Sequence, residues 1–398
     1  MSFRLLYVIG TLDLGGAEQH LLRVLPKLQE RGCEPSVFTT SYRGEGYKTL
    51  EVHGIRVLEP PFAQACRKLP RGIRQLALTL LSSVALLRLL WVSRYDFVHF
   101  FLPEAYLIGG LVSLAAPVKH RIMSRRSLNN YQHHHAAFLT DIEKWLHHRM
   151  SAVLGNSLAV TDQLRLEGVG LDKLGLIYNS VEPVVSGAYQ DRLALRAEFD
   201  IGSSALVLVI VANLIPYKGH EDLIAALACT RANMPEDWVL LCIGEDRGIG
   251  TRLVAQAEEF GLAKRIRWLG RRRDVCKILR LADMALLVSH EEGFSNALLE
   301  YMSAGLPIIA TDVGGNAEAV VDQESGIIVP PRKPALLASA IIKLANDSDL
   351  RARLGSRGQV RVEELFSMDR CVSNYMNLYQ SIMQQGHVPL ELRPDGKR

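Results

Sequence analysis

Runs of consecutive apolar residues, separated by amphipathic stretches, recur along all 398 residues and constrain the fold more than any other feature. The run from Leu206 to Val211 contains only Leu, Val and Ile, which is typical of a parallel strand covered on both faces. Such strands alternate with helical stretches, and this alternation predicts a doubly wound α/β fold. Because the chain is too long for one comfortable core, we expect the pattern to form two domains.

The predicted strands divide into five in the first half and six in the second. They lie at 3–9, 36–39, 97–101, 121–124, 152–154, 205–212, 238–243, 266–269, 284–288, 307–310 and 327–329. A strand ends and a polar linker begins at 179–183, which places the domains at 1–182 and 183–367. A last helix is predicted at about 368–383, and the tail at 384–398, rich in Gly and Pro, is expected to be poorly ordered.

Composition is that of an ordinary globular protein, with 48% hydrophobic and 22% charged residues. The six cysteines form no C-x-x-C pair, which favours a reduced, cytoplasmic protein. The chain begins with a predicted strand, so we expect no signal peptide. Residues 1–182 carry 21 Lys and Arg against 15 Asp and Glu, a net charge of +6. Without a basic patch interleaved with aromatics, this charge favours an anionic membrane surface or acceptor over nucleic acid.

The longest apolar stretch, at 73–91, contains polar and charged residues that make a membrane-spanning helix improbable. We favour a buried crossover helix. The alternative is an amphipathic helix that touches lipid, assisted by the basic residues that precede or begin it: Arg67, Lys68, Arg71 and Arg74.

The most specific motif lies at 291–312. Glu292 follows an apolar strand, and a short helix predicted from Ser295 to Ala304 carries a second carboxylate, Glu300. Ser295 is the predicted N-cap of this helix, and Gly305 is expected to terminate it. Free amides at such a helix start can bind a phosphate. Two carboxylates that flank this site suit a ligand with a central diphosphate and a sugar at each end, namely a nucleotide-sugar.

Glu292 and Glu300 resemble the E-x7-E signature of retaining glycosyltransferases of family 4, and the segments 292–296 and 312–318 also resemble that family. The resemblance covers roughly 3–383. It implies the GT-B fold, with two facing Rossmann-like domains and a C-terminal crossover helix. The N-terminal domain would bind the acceptor and the second domain the donor.

Lys218, in the segment 213–219, follows the first strand of the second half and is well placed for a diphosphate. Many relatives carry Arg where this chain has Asn213, so the phosphate site here would rest on Lys218 and backbone amides. The resemblance implies that Glu292 and Lys218 are catalytic. It implies donor-binding positions at Gly15, Gly16, Asn213, Lys218, Gly293, Phe294, Ser295, Asn296 and Glu300.

Gly15 and Gly16 follow the first strand, in a spacing that imitates a P-loop from Gly10 onwards. The Lys-Ser/Thr pair that must follow is replaced by Gly16-Ala17, which excludes nucleotide hydrolysis of that kind. A tight turn is the alternative to ligand contact at these glycines. Arg125 and Arg126 stand where several relatives place a cleft-facing His. We expect one of them to act as a catalytic cation or to bind an anionic acceptor; a solvated pair is the alternative.

No metal is expected. We expect no carboxylate or cysteine at ligand spacing from the histidines at 133–135 and 147–148, and the D-x-D at Asp347 and Asp349 lies far from the motifs. Cations and helix amides would then stabilise the leaving group.

These features predict a metal-independent retaining hexosyltransferase that uses a nucleotide-sugar, UDP favoured over GDP, and needs no other cofactor. Its acceptor would be a saccharide or a lipid-linked glycan in polysaccharide or lipopolysaccharide synthesis. It would act in the cytoplasm, peripherally at the inner membrane face. The alternatives are a non-catalytic nucleotide-sugar-binding module or assembly partner and, with less support, a nucleotide-sugar epimerase.

Overall fold

The chain forms two compact units, which we call unit 1 and unit 2. The computed structural model describes residues 3–13, 15–134, 137–183, 189–230 and 233–397. Unit 1 comprises Met1–Asn179 and Met368–Arg398, and unit 2 comprises Ser180–Ser367. Each unit is built on one parallel sheet. The predicted doubly wound α/β fold is therefore confirmed.

Unit 1 contains a seven-stranded parallel sheet. Its strands are β1 (Arg4–Ile9), β2 (Glu34–Thr39), β3 (Arg56–Leu58), β4 (Phe97–Phe101), β5 (His120–Arg125), β6 (Ala152–Gly155) and β7 (Leu174–Leu176), in the spatial order β3-β2-β1-β4-β5-β6-β7. The helices are α1 (Gly16–Glu30), α2 (Tyr47–Val52), α3 (Ala63–Cys66), α4 (Arg71–Val92), α5 (Pro103–Leu114), α6 (Ala137–His147) and α7 (Leu158–Leu166). The sequence did not reveal β3 and β7, since three residues are too few for a periodic signal.

Unit 2 contains a six-stranded parallel sheet, and all six strands predicted for the second half are present. They are β8 (Leu206–Val211), β9 (Trp238–Ile243), β10 (Ile266–Gly270), β11 (Met284–Leu287), β12 (Ile308–Thr311) and β13 (Ile327–Val329), in the order β10-β9-β8-β11-β12-β13. The helices are α8 (Tyr189–Glu198), α9 (His220–Cys229), α10 (Gly250–Glu259), α11 (Val275–Leu279), α12 (Asn296–Ser303), α13 (Asn316–Ala319), α14 (Pro334–Asn346) and α15 (Ser348–Leu365).

Each sheet has one point where the chain order reverses, between β1 and β4 in unit 1 and between β8 and β11 in unit 2. In open α/β sheets, ligands bind in the crevice outside the carboxyl ends of the strands at such a switch point. The loops that follow β8 and β11 are therefore the first place to look for a ligand site in unit 2.

The last helix, α16 (Met368–Gln385), belongs to unit 1, as the predicted crossover helix requires. Tyr379 is fully buried, and its hydroxyl lies 2.5 Å from the Tyr7 hydroxyl and 3.1 Å from Nδ1 of His99. Nε2 of His99 lies 2.7 Å from Oγ of Ser124. Burial lowers the pKa of His99 well below its ordinary value, so the ring is neutral and can pair with both hydroxyls.

The expectation of a poorly ordered tail is wrong for the described residues beyond α16. Val388 and Leu392 are buried in the core of unit 1, and the Val388 amide donates to the Asp172 carbonyl at 2.9 Å. Two short 3-10 helices follow, at Leu390–Leu392 and Pro394–Lys397. Apolar burial therefore orders a segment whose Gly and Pro content indicated disorder.

Helix α4 is a crossover helix between β3 and β4, but the expectation that it is buried is wrong for most of its surface. Its buried side chains are Leu78, Ser82, Leu86 and Leu90. Among the described residues, α4 is the one helix whose length and composition would allow it to cross a membrane. The mean hydropathy of its most apolar window is 1.7, and 22% of that window is buried.

Arg125 is fully buried in an ion cluster between β5, α6 and the segment after α7. Its guanidinium donates to Oε1 of Glu143 at 2.6 Å and to both carboxylate oxygens of Glu167 at 2.7 Å. His147 joins the cluster through Nε2, which lies 3.2 Å from Glu167 Oε2. The prediction that Arg125 is a cleft-facing catalytic cation is therefore not supported, because its charge is committed to two buried carboxylates.

The same cluster corrects the expectation that no carboxylate lies near the histidines. Among the described residues, Glu143, His147 and Glu167 could together offer ligand atoms to a metal ion. The Arg125 guanidinium already supplies a positive charge to both carboxylates. Although burial acts in the opposite direction, the bonds from His147 and Arg125 lower the pKa of Glu167 to about 2. The side chains of His133 and His134, and all of His135, lie outside what the structure describes.

We expect Arg125→Ala to lower the free energy of unfolding by about 3–5 kcal/mol, because it leaves two buried carboxylates without their cation. Urea denaturation measures this effect. The matched control is Arg165→Ala, which removes an exposed arginine from α7 and should change stability by less than about 0.5 kcal/mol. A stable Arg125→Ala protein that has lost glycosyl transfer would instead restore the catalytic role.

Candidate active site

Lys218 and Glu292 meet at the switch point of unit 2. Lys218 ends a short 3-10 helix after β8, and Glu292 lies in the loop after β11. The Lys218 ammonium donates to Oε1 of Glu292 at 2.6 Å, and both side chains are largely buried. Burial alone would lower the pKa of Lys218, but the ion pair with Glu292 outweighs it and raises the pKa. The lysine is therefore a fixed cation at neutral pH.

Direct backbone contacts hold the loops of this site together. Gly219 has a φ of +72°, and a Cβ there would lie 2.0 Å from the Val288 carbonyl oxygen. Gly314 has a φ of +53°, and a Cβ there would lie 1.9 Å from the Glu292 carbonyl oxygen. Only glycine fits at these two positions. They press the loops after β8 and β12 against the loop that carries Glu292.

Two residues that sequence reasoning missed support Glu292 from behind. Ser289 is fully buried, and its hydroxyl donates to Glu292 Oε1 at 2.6 Å. The Thr311 hydroxyl donates in turn to the Ser289 carbonyl at 2.6 Å. Both lie at the ends of predicted strands, but a lone Ser or Thr there carries no signal for this role. Glu292 Oε1 therefore accepts from both Lys218 and Ser289, which fixes the carboxylate.

Helix α12 begins beside this pair and carries Glu300, which is partly exposed. Ser295 occupies the predicted N-cap position, but its side chain makes no capping hydrogen bond, so the position is confirmed and the capping bond of its hydroxyl is not. Gly305 follows the helix with a φ of +69°, as its predicted role in the helix stop requires. The hydroxyl of the buried Tyr301 accepts from the Val211 amide at 2.6 Å and ties α12 to the end of β8.

Two of the predicted donor-binding side chains have structural partners. The Phe294 ring is 5% exposed and lies 5.3 Å from the Phe366 ring, so Phe294 can offer a ligand only its backbone. Oδ1 of Asn213 accepts from the Glu245 amide at 3.0 Å, which joins the loops after β8 and β9. Gly293 is buried, and its carbonyl accepts from the Gly315 amide at 2.9 Å. Asn296 is partly exposed in the first turn of α12.

A histidine–aspartate pair, also missed from the sequence, lies next to this site. Nε2 of His290 is 2.7 Å from Oδ2 of Asp222, which lies in the first turn of α9. The His290 amide donates to the Tyr217 carbonyl at 2.7 Å. These bonds attach the loop of Glu292 to the segment of Lys218 at a second point.

The remaining candidates belong to unit 1. Gly15 is the N-cap of α1, and Gly16 is its first residue. Arg126 is partly exposed, unlike Arg125, and donates to Oδ1 of Asn179. Burial lowers the pKa of Arg126, and its contact with Tyr375 opposes that shift, with a smaller contribution from the Glu18 carboxylate in the first turn of α1. Unlike Arg125, Arg126 has no buried carboxylate pair among its hydrogen-bond partners in the part of the chain that the structure describes.

Asp347, the first residue of the D-x-D sequence, has a structural partner in unit 2. Its Oδ1 accepts from the Leu350 amide at 2.8 Å and caps the N-terminus of α15. Asp347 therefore serves the helix junction.

Family models match both halves of the chain. The family described as Glycosyltransferase Family 4 matches residues 14–184, and the family described as Glycosyl transferases group 1 matches residues 191–361. Together the two matches cover most of the chain. The first match covers sequence of unit 1 and ends just past its boundary at Asn179. The second match lies within unit 2.

Curated relatives are about one-quarter identical to this chain. The D-inositol 3-phosphate glycosyltransferase of Salinispora tropica is 26% identical over 93% of this chain and 82% of its own length. The N-acetyl-alpha-D-glucosaminyl L-malate synthase of Bacillus anthracis is 27% identical over 52% of this chain. That match spans about half of the relative, 54% of its length.

Solved structures share the fold over nearly the whole chain. HepE of Anabaena, solved in complex with UDP-glucose, has a TM-score of 0.80 and 22% identity and covers 95% of this chain and 100% of its own. WaaG, a glycosyltransferase involved in lipopolysaccharide biosynthesis, has a TM-score of 0.72 and 16% identity, with coverage of 93% and 99%. These likenesses show a GT-B fold. The chain belongs to the family 4 glycosyltransferases, with a group 1 domain in its second half.

Proposed function

We propose that this protein is a metal-independent retaining hexosyltransferase that uses a nucleotide-sugar, with UDP favoured over GDP as the nucleotide. The acceptor would be a saccharide or a lipid-linked glycan in cell-surface glycan synthesis, at the cytoplasmic face of the membrane. HepE has been solved with UDP-glucose, which supports a UDP-sugar here. The retaining outcome rests on the resemblance of Glu292 and Glu300 to the family's glutamate pair.

The observation that carries the proposal is the Lys218–Glu292 pair at the β8/β11 switch point. As the bond between sugar and phosphate breaks, negative charge grows on the leaving diphosphate. A fixed ammonium and the amides at the start of α12 would stabilise that charge more than the ground state. Glu292, fixed by Lys218 and Ser289, would orient the ammonium and accept from the donor sugar.

The other candidates fit around this centre. Glu300, on α12, is proposed to accept from ribose hydroxyls. The backbone at Gly293, Phe294, Ser295 and Asn296 would contact the diphosphate, and Asn213 would shape the neighbouring loop. In unit 1, Gly15, Gly16 and Arg126 are proposed to contact the donor phosphates or an anionic acceptor.

A thermal-shift screen of UDP- and GDP-sugars tests the donor. A ligand at a hundred times its Kd adds about 2.7 kcal/mol of stability, so the preferred donor should produce the largest shift. Glu300→Gln should weaken the binding of that donor by roughly 1.5–3 kcal/mol, because an amide replaces a charged hydrogen-bond acceptor. Glu259→Gln, an exposed glutamate on α10, is the matched control.

A UDP or GDP affinity that Glu300→Gln leaves unchanged would remove Glu300 from the site. The non-catalytic nucleotide-sugar module would be favoured if the protein binds the donor but neither transfers its sugar to any acceptor nor hydrolyses it slowly.

Lys218→Ala should lower turnover more than donor affinity, because the ammonium is proposed to act mainly on charge that develops in the transition state. We expect a loss of about 100-fold or more in kcat, as for other groups that stabilise developing charge. Steady-state kinetics and donor titration measure the two effects, and Lys264→Ala, an exposed lysine of unit 2, is the control. Equal losses in kcat and affinity would indicate uniform binding of the donor instead.

Metal independence predicts that activity in saturating EDTA equals activity without it. The physical reason is that Lys218 and helix amides would supply the positive charge that a divalent cation supplies in metal-dependent transferases. Initial rates with EDTA, Mg²⁺ and Mn²⁺ check the prediction. A strict requirement for either cation would contradict it.

A further inference from the structure

Helix α4 presents a continuous apolar stripe on its outer side. Ile73, Leu76, Leu80, Val84 and Trp91, which we call the α4 stripe, are each 59–69% exposed. Their spacings of three, four and seven residues place them along one side of a helix. At about 1.5 Å per residue the stripe is about 27 Å long. An apolar surface of this length on one helix is the mark of an interaction site.

The inner side of the same helix is firmly packed. Leu86 and Leu90 belong to a core cluster of unit 1 that includes residues of β1 and β4, and Leu78 packs with Ala63 and Cys66 of α3. The stripe is therefore held outward by a rigid base, and α4 can contact a partner without leaving its place in unit 1.

The charged residues in the chain segment that contains the stripe have one sign. From 60 to 95 the sequence contains six Lys and Arg and no Asp or Glu. Lys68 is exposed just before α4, and Arg71 is exposed at its first position. Arg88 is exposed between Val84 and Trp91, and Arg94 is exposed just after the helix. An apolar stripe bordered by cations complements a bilayer with anionic lipids, which offers hydrocarbon below a negative surface.

The polar groups of the stripe are compatible with lipid. The backbone of α4 is bonded within the helix, and Nε1 of Trp91 donates to the Ala115 carbonyl at 3.1 Å. The Trp91 ring can therefore enter the headgroup region without an unsatisfied donor. Arg88 can extend its charge towards the headgroups while its stem lies along the apolar surface.

We propose that the α4 stripe inserts into the interface of an anionic membrane, with α4 parallel to the bilayer plane. A second copy of the chain is a poorer occupant, because a two-fold interface on this face would bring the same cations together. Membrane contact through α4 adds an apolar contribution to the attraction expected from charge alone, and it does not depend on which sugar is transferred.

Sedimentation with vesicles tests the proposal, using phosphatidylcholine alone and phosphatidylcholine mixed with phosphatidylglycerol. Leu76→Ser, Leu80→Ser and Val84→Ser combined should weaken binding to the mixed vesicles by at least about tenfold. The matched control is Val52→Ser, Leu166→Ser and Leu390→Ser, three exposed apolar residues elsewhere in unit 1. This control should bind like the unaltered protein.

A charge variant separates the two contributions. Lys68→Ser, Arg71→Ser and Arg88→Ser combined should weaken binding to the mixed vesicles by at least about tenfold and abolish the preference over phosphatidylcholine. Its control is Arg31→Ser, Lys48→Ser and Arg165→Ser, which removes the same charge elsewhere in unit 1. Donor affinity in solution, measured on every variant, shows that the site of unit 2 is unaffected.

Full binding by the stripe variant would overturn the proposal and leave contact by charge alone. Retention of the bound protein after carbonate extraction would also overturn it, because a peripheral helix is released. So would a dimer in solution that the stripe variant makes monomeric, with no binding to vesicles. If the unaltered protein bound no nucleotide-sugar, that result would instead contradict the proposed function. Failure of the membrane proposal and failure of the proposed function are therefore distinguishable.

Discussion

Parallel strands cannot be joined by tight turns, and this constraint determines where the site of unit 2 forms. Every connection must cross back, so all strands end at the same edge of the sheet. The loops after β8, β11 and β12 are thereby delivered side by side. Gly219 and Gly314 then allow main chain to touch main chain, and the Lys218–Glu292 pair lies on that rigid base. Few side chains are needed, because the backbone already sets the geometry.

Sequence reasoning succeeded where a signal was long or local. The run Leu206–Val211 forms one strand of six buried or nearly buried residues, and its apolar composition alone predicts that strand. The helix stop at Gly305 was likewise visible, because glycine there satisfies a local backbone requirement. The sequence does not predict the direct bond between Lys218 and Glu292. The two residues are 74 positions apart, and only the sheet order brings them together.

The failures have a common physical cause, namely that distant partners decide the role of a residue. Arg125 and Arg126 are neighbours that cannot be told apart by sequence. Glu143 and Glu167, 18 and 42 positions from Arg125, commit it to the core of unit 1. The motif predicts Phe294 as a donor contact, but its ring packs against Phe366, which leaves only its backbone for that role. Ser289 supports Glu292 without any pattern that marks it.

Unit 1 is assembled from both ends of the chain, and this has a consequence for biosynthesis. The Tyr7–Tyr379 contact joins residues 372 positions apart, while unit 2 is one uninterrupted segment between them. On the ribosome, unit 2 is therefore complete before α16 emerges, although translation begins with unit 1. Until then, the face of unit 1 that α16 covers has no partner from this helix, including the buried His99. The order of synthesis thus leaves the first domain to be finished last.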